Sequence, residues 1–84
     1  MKTKPKTTPE CDQLMELVLE GLKANPLESQ KKQNAQTALQ RLCKKKCTKA
    51  IEYIMEESSH YPPIDPFAQK ICNEARKNLE ELSS

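Results

Sequence analysis

The sequence predicts an all-α domain, a compact antiparallel bundle of three main helices stapled by disulfide bonds. Three observations carry this prediction: apolar residues recur at helical spacing in three segments, a proline stands near the start of each segment, and all four cysteines fall on apolar faces. A chain of 84 residues buries only about 60–65% of the surface it exposes when unfolded. Its hydrophobic core therefore needs support from cross-links or from a partner.

The first helix is predicted over residues 9–24, behind a leader at residues 1–8 that is rich in Lys, Thr and Pro and is expected to be disordered. Thr8 can accept a hydrogen bond from the helix start, and Pro9 suits the first helical position. The apolar stripe that follows consists of Cys11, Leu14, Met15, Val18, Leu19 and Leu22. The folded domain is expected to cover residues 9–84.

The segment from Asn25 to Glu28 predicts both the end of the first helix and the start of the second. Asn25 can act as the cap, Pro26 fits the first helical position, and Glu28 completes a capping box. Two antiparallel helices are expected to meet at this turn.

The second helix is predicted to be long, over residues 26–57. From residue 35 to residue 54 its apolar residues share one broad face, into which Lys46 intrudes, with its ammonium expected to reach out to water. Residues 28–34 contain no apolar side chain, so a break near residues 30–34 stays open.

The third helix is predicted over residues 66–82, after a loop at residues 58–64. Pro62 and Pro63 cannot continue a helix, and Asp65-Pro66 repeats the cap-plus-proline signal. The apolar side of this helix consists of Phe67, Ile71, Cys72, Ala75, Leu79 and Leu82.

The even number of cysteines in so short a chain indicates a disulfide framework. In an antiparallel hairpin, residues at the same height lie equally far from the turn, so the midpoint of a bonded pair falls in the turn. Cys11 with Cys43 has its midpoint at residue 27, and Cys47 with Cys72 has its midpoint between residues 59 and 60. This pairing is preferred over Cys11 with Cys47 and Cys43 with Cys72, and a bond between Cys43 and Cys47 ranks last. Buried, reduced cysteines remain an alternative.

Neither a metal site nor a cofactor is expected. Structural zinc and redox sites use pairs such as C-x2-C on a turn, whereas Cys43 and Cys47 are separated by three residues in a predicted helix, and His60, the lone histidine, lies in a loop. One glycine and one histidine supply no phosphate loop or catalytic pair, so we expect no enzymatic activity. A net charge of +2 disfavours nucleic acid as a partner.

Two features are candidates for binding a partner. Arg41, Lys44, Lys45 and Lys49 fall on the outer face of the second predicted helix and could meet an acidic surface. Tyr61 stands beside two prolines, which makes it a stiff aromatic contact. The alternatives are a solvated basic face and a rigid connector whose tyrosine covers the end of the core.

Two resemblances bear on function. The stretch from Cys47 through Asp65-Pro66 to Ile71-Cys72 resembles the second half of a saposin-type lipid-binding domain, which implies lipid binding. That family uses six cysteines, and Cys43 and Cys47 stand too close together for its central bridge. The spacing of the first three cysteines is similar to the opening of insect odorant-binding proteins, but this chain is too short for their cavity.

The sequence therefore predicts a small non-enzymatic helical protein that binds another protein as an effector, ligand or inhibitor. Disulfide bonds imply secretion or another oxidising compartment. One alternative is a saposin-like binder of lipids or of a membrane surface. Another is a reduced, cytoplasmic subunit of a larger complex.

Overall fold

A computed structural model describes residues 5–62 and 64–83, and these residues confirm the all-α fold class. Of the predicted leader, residues 1–4 lie outside the described residues, and residues 5–8 precede the first helix without regular structure. The described part of the chain forms four helices rather than three: α1 (Pro9–Lys23), α2 (Ser29–Lys44), α3 (Thr48–Ser59) and α4 (Pro66–Ser83). They pack as two hairpins, α1 with α2 and α3 with α4.

The starts of α1 and α4 are those that the cap-plus-proline signals predict. Thr8 Oγ1 accepts a hydrogen bond of 3.2 Å from the Cys11 N–H. The Asp65 carboxylate accepts hydrogen bonds from the N–H groups of Phe67 and Ala68, at 3.1 and 3.2 Å. Each cap satisfies backbone donors that the first helical turn leaves unpaired.

The start of α2 differs from the prediction, because Pro26 lies in a turn and the helix begins three residues later. The Glu28 N–H donates to the Asn25 carbonyl at 2.9 Å, and the Glu28 carboxylate accepts from the Asn25 N–H at 3.1 Å. The predicted contact between Glu28 and residue 25 therefore forms, but it closes a tight reversal rather than a first helical turn.

The second predicted helix, over residues 26–57, is divided into α2 and α3, and the break lies at residues 45–47 rather than near 30–34. Lys46 adopts a left-handed conformation with φ of 58°. Its N–H donates to the Cys43 carbonyl at 3.1 Å, while the Cys47 N–H donates to the Leu42 carbonyl at 3.0 Å. This is the hydrogen-bond pattern of a Schellman motif, which ends α2 and turns the chain into α3.

The core lies between the two hairpins. Its fully buried large side chains are Met15, Val18, Leu39, Leu42, Ile51, Ile54 and Ile71. Within the first hairpin α1 and α2 approach closely, since a Cβ placed on Gly21 would lie 2.4 Å from the Ala35 Cβ. Between the hairpins, Lys32 Nζ lies 4.3 Å from the centre of the Phe67 ring, a cation–π contact that ties α2 to the start of α4.

Candidate functional site

One disulfide bond joins the two hairpins, and it belongs to the second-ranked pairing rather than to the preferred one. Cys11 in the first turn of α1 is bonded to Cys47 at the N-cap of α3, with a Cα–Cα distance of 6.3 Å. The predicted pairing of Cys11 with Cys43 assumed that residues 43 and 47 lie one turn apart on the same helix. Because the chain turns at residues 45–47, Cys47 instead stands at the start of a new helix, beside the start of α1.

The predicted bond between Cys47 and Cys72 is therefore also wrong, and both Cys43 and Cys72 are free thiols. Each is half-buried, and Cys43 packs against the core. The Cys72 Sγ lies 3.7 Å from the carbonyl oxygen of Met55, in the second half of α3. Cys72 thus faces the middle of the second hairpin rather than the turn that holds Cys43 and Cys47.

The predicted basic residues converge where α2 turns into α3. Arg41 and Lys44 lie in the last turn of α2, Lys45 lies in the turn, and Lys49 lies in the first turn of α3. Lys46 joins them, and no acidic residue occurs between residues 41 and 49. We call this set the basic corner: Arg41, Lys44, Lys45, Lys46 and Lys49, all of which are exposed.

Two links fix the basic corner to α1. The disulfide bond at Cys47 is one, and the ion pair between Lys45 Nζ and Glu10 Oε1, at 2.6 Å, is the other. The ion pair is solvent-exposed and contributes at most about 1 kcal/mol, so the covalent link dominates. The backbone under the cations is thereby held in one conformation by the Schellman turn and by the disulfide bond.

Lys46 belongs to the basic corner, although the sequence places it on the apolar face of a long helix. In a continuous helix Lys46 falls within the apolar sector, where a lysine can only reach out along its stem. In the structure it is exposed, because the left-handed turn takes it out of the helix. The conflict between its charge and its place on the predicted apolar face was the signal for the break.

The structure does not bring Tyr61 together with the basic corner. Tyr61 follows α3, whose twelve residues separate it from the corner by about 18 Å along the helix axis. The ring is half-buried against the core, and this burial raises the pKa of its phenol, with Glu57 and Asp65 raising it further. Tyr61 thus packs as the cover of one end of the core.

Neither a cluster of metal ligands nor a membrane-spanning helix occurs among residues 5–62 and 64–83. No group of three or more His, Cys, Asp or Glu side chains in this part of the chain is placed to hold a metal ion. His60 is exposed in the loop after α3. None of the four helices described above combines the length and the apolar character that crossing a bilayer requires.

The chain matches no protein-family model, no curated protein and no solved structure. The resemblances to saposin-type and odorant-binding domains gain no support from these comparisons. Inferences about function therefore rest on the geometry of the basic corner and its surroundings.

Proposed function

We propose that the protein is a non-enzymatic binding module that uses the basic corner to dock on an acidic surface of a partner protein. The observation that carries this proposal is the convergence of five exposed cations on a turn that a disulfide bond pins to α1. A fixed backbone reduces the conformational entropy lost on binding, and complementary charge adds specificity and a faster association rate.

The contrast with the rest of the surface supports the same proposal. In α4, Lys70, Arg76 and Lys77 are interspersed with Glu74, Glu80 and Glu81, so cations and carboxylates alternate along the helix. Mixed charge of this kind is typical of a solvated face. The basic corner has no carboxylate within its own segment, although Glu10 of α1 pairs with Lys45, and it therefore differs from this mixed-charge face.

The disulfide bond favours secretion or another oxidising compartment as the place where the module acts. In such a compartment the partner is an extracellular or lumenal protein, and the module acts as an effector, ligand or inhibitor. The competing proposals are a saposin-like binder of anionic lipid surfaces and a subunit of an intracellular complex.

The test is a matched pair of charge reversals. One variant carries Arg41→Glu, Lys44→Glu and Lys49→Glu; the control carries Lys70→Glu, Arg76→Glu and Lys77→Glu on α4. All six residues are exposed, and both variants take the formal net charge from +2 to −4. Lys45 is left in place because it pairs with Glu10, and Lys46 because its backbone is left-handed.

We expect proteins captured on immobilised wild-type chain to be lost on the corner variant and retained on the control, with capture weakening as salt rises. If captured proteins were lost equally on both variants, the loss would follow from the change in net charge alone, and the proposal would be overturned. Binding to phosphatidylserine-containing vesicles that the corner variant abolishes would favour the lipid-binding alternative instead.

A further inference from the structure

A shallow groove follows the solvent-exposed side of the seam between α1 and α2. Its floor is apolar, because Leu14 and Ala38 are almost fully buried there. Leu17 stands on its rim and is 39% exposed. The groove is lined by Leu14, Leu17, Asn34, Thr37, Ala38 and Arg41. It therefore continues directly into the basic corner through Arg41.

Leu17 differs from the other exposed apolar residues of the described chain. Leu27 and Ile64 are more exposed, but both lie in loops between helices. Leu17 lies within α1, one turn beyond Leu14, beside a concave surface that a cation borders. An apolar groove is the surface into which an amphipathic helix lays its apolar face. Arginine, here Arg41 at the groove's border, is enriched at the energetic centres of interfaces.

The end of the groove that Arg41 borders is complementary to an acidic ligand, whereas Glu16 and Glu20 stand close to Leu17 in the sequence of α1. Arg41 supplies a guanidinium at one end, and Asn34 and Thr37 on the same wall are uncharged. Glu10, the carboxylate of α1 that precedes the groove, is already engaged by Lys45 at 2.6 Å. A carboxylate entering from the side of the basic corner therefore meets cations first.

The shape of the groove fits a helix rather than an extended segment. Its wall on α2 runs from Asn34 to Arg41, which lies seven positions further along the helix, a rise of about 10.5 Å or about two helical turns. The ridge of a third helix fits between two antiparallel helices. The described residues contain no strand whose edge an extended peptide could extend, and α1 and α2 use their backbone groups internally.

We propose that this groove binds an amphipathic helix of the partner protein, with its apolar ridge on Leu17 and its carboxylates on Arg41 and the basic corner. The inference rests on the proposed function, because Arg41 belongs to both surfaces. It adds that the partner presents a helix of stated pattern: apolar residues at i, i+3 or i+4 and i+7, flanked by Asp or Glu.

The probe is a fluorescein-labelled synthetic peptide of about 20 residues, long enough to form helix on binding, with leucines at those positions and glutamates beside them. Two matched peptides replace the leucines by serine or the glutamates by glutamine. We expect wild-type protein to bind the leucine–glutamate peptide at least about tenfold more tightly than either matched peptide.

The decisive variant is Leu17→Ser, and Leu27→Ser is its control, since it makes the same chemical change at a leucine that is 90% exposed and lies in a loop. Leu17→Ser should weaken binding of the leucine–glutamate peptide about tenfold, whereas Leu27→Ser should leave it within about twofold. In wild-type protein, the amide chemical shifts that move on binding should cluster at Leu17, Thr37, Ala38 and Arg41.

Equal effects of the two serine variants, or amide shifts centred elsewhere, would overturn the groove. The peptide in which serine replaces the leucines keeps its glutamates, so it can bind the basic corner without using the groove. It therefore distinguishes a failure of the groove proposal from a failure of the proposed function. If the basic-corner variant abolishes its weak binding while Leu17→Ser does not affect it, the corner stands without the groove. A wild-type dimer that Leu17→Ser dissociates in sedimentation equilibrium would assign the groove to a second copy of this chain and would likewise overturn the proposal.

Discussion

The two hairpins reach a packed state by different means. In the first, Gly21 lets α1 and α2 approach so closely that no Cβ would fit between residue 21 and Ala35. A short turn at residues 24–28 joins these two helices. In the second, a longer loop joins α3 and α4, and Ile51, Ile54 and Ile71 fill the space between the helices and the rest of the core.

This difference in packing determines which change in side-chain volume destabilises each hairpin. The first is sensitive to added volume, because a closer contact between its helices is sterically excluded. The second is sensitive to lost volume, because the isoleucines of its helices have no exposed surface and a truncated side chain leaves a cavity. Besides the shared core, the hairpins are joined by the left-handed turn at Lys46 and by one disulfide bond, which form a third contribution to stability.

The largest expected effect comes from removing volume in the second hairpin. Ile54→Ala should lower the free energy of unfolding by about 2–5 kcal/mol, through lost transfer energy and a residual cavity. For a domain of this size that is a large part of the total stability, so the variant should be partly unfolded at 37 °C. Urea denaturation followed by circular dichroism measures the change.

The control is Ile64→Ala, the same truncation at an isoleucine that is 87% exposed in the loop before α4. It should change the free energy of unfolding by less than about 0.5 kcal/mol. If the two truncations had similar effects, the second hairpin would not be held together by buried volume.

The next largest effect concerns the covalent link between the hairpins. Cys11 and Cys47 are separated by 36 residues, so the bond should contribute about 3–4 kcal/mol by restricting the unfolded chain. The intact mass of the protein should lie about 2 Da below that of the reduced chain, the loss for one disulfide. Reducing agent should lower the melting temperature of the wild type.

Peptide mapping decides the pairing, because trypsin cleavage after lysine and arginine places all four cysteines on different peptides. We expect the Cys11 peptide to remain joined to the peptide Cys47-Thr48-Lys49. Replacing Cys43 or Cys72 by serine should leave that cross-link in place. A Cys11 peptide joined to the peptide that contains Cys43 would restore the pairing that the sequence favoured and would place the hairpins differently.

The sequence predicts the helix starts best where two local signals coincide. Thr8-Pro9 and Asp65-Pro66 each combine a capping side chain with a proline, and both helices begin there. The end of α2 carries no such signal, since Lys44, Lys45 and Lys46 are good helix formers and no glycine follows them. Tertiary packing and the bond at Cys47 favour the turn, and neither can be deduced from local propensity.

For the basic corner, too, one part could be predicted from the sequence and another part depends on tertiary structure. That Arg41, Lys44, Lys45 and Lys49 are exposed could be predicted from helical periodicity. That they form a corner rather than a stripe could not, because this depends on the break at residues 45–47. The error in the disulfide pairing has the same origin, since the midpoint argument assumed a straight helix. Leu17 lies outside the core stripe of α1, and only the packed neighbour α2 turns its surroundings into a groove.

A smaller effect tests the close contact in the first hairpin. Gly21→Ala gains about 1 kcal/mol of helix propensity, yet the new methyl group would lie 2.4 Å from the rigid Cβ of Ala35. Forcing the helices apart costs about 1–3 kcal/mol, so the variant should be destabilised despite the better helix former.

A double-mutant cycle with Ala35→Gly supplies the control, because that change removes the opposing Cβ. The double variant should be more stable than the sum of the two single changes predicts, by about 1 kcal/mol. Additive effects, or a stabilising Gly21→Ala, would show that α1 and α2 are free to separate and that the first hairpin is not limited by added volume.

The smallest expected effect, and the only gain, lies in the turn between the hairpins. Lys46 holds φ of 58°, a region in which a side chain with Cβ is disfavoured and glycine is not. Lys46→Gly should therefore raise the free energy of unfolding by about 0.5–1 kcal/mol, the loss of strain exceeding the added freedom of the unfolded chain.

Lys46→Ala removes the same charge but keeps the strain, so it should not stabilise the protein. Lys45→Gly, at a residue with φ of −85°, should destabilise it. If all three variants had the same stability, residues 45–47 would not form the left-handed turn, and the long continuous helix would again be the better description.

Because Lys46→Gly keeps the turn while it removes one cation, it also separates geometry from charge in the basic corner. Its binding should fall only as far as that of Lys46→Ala, although its stability rises.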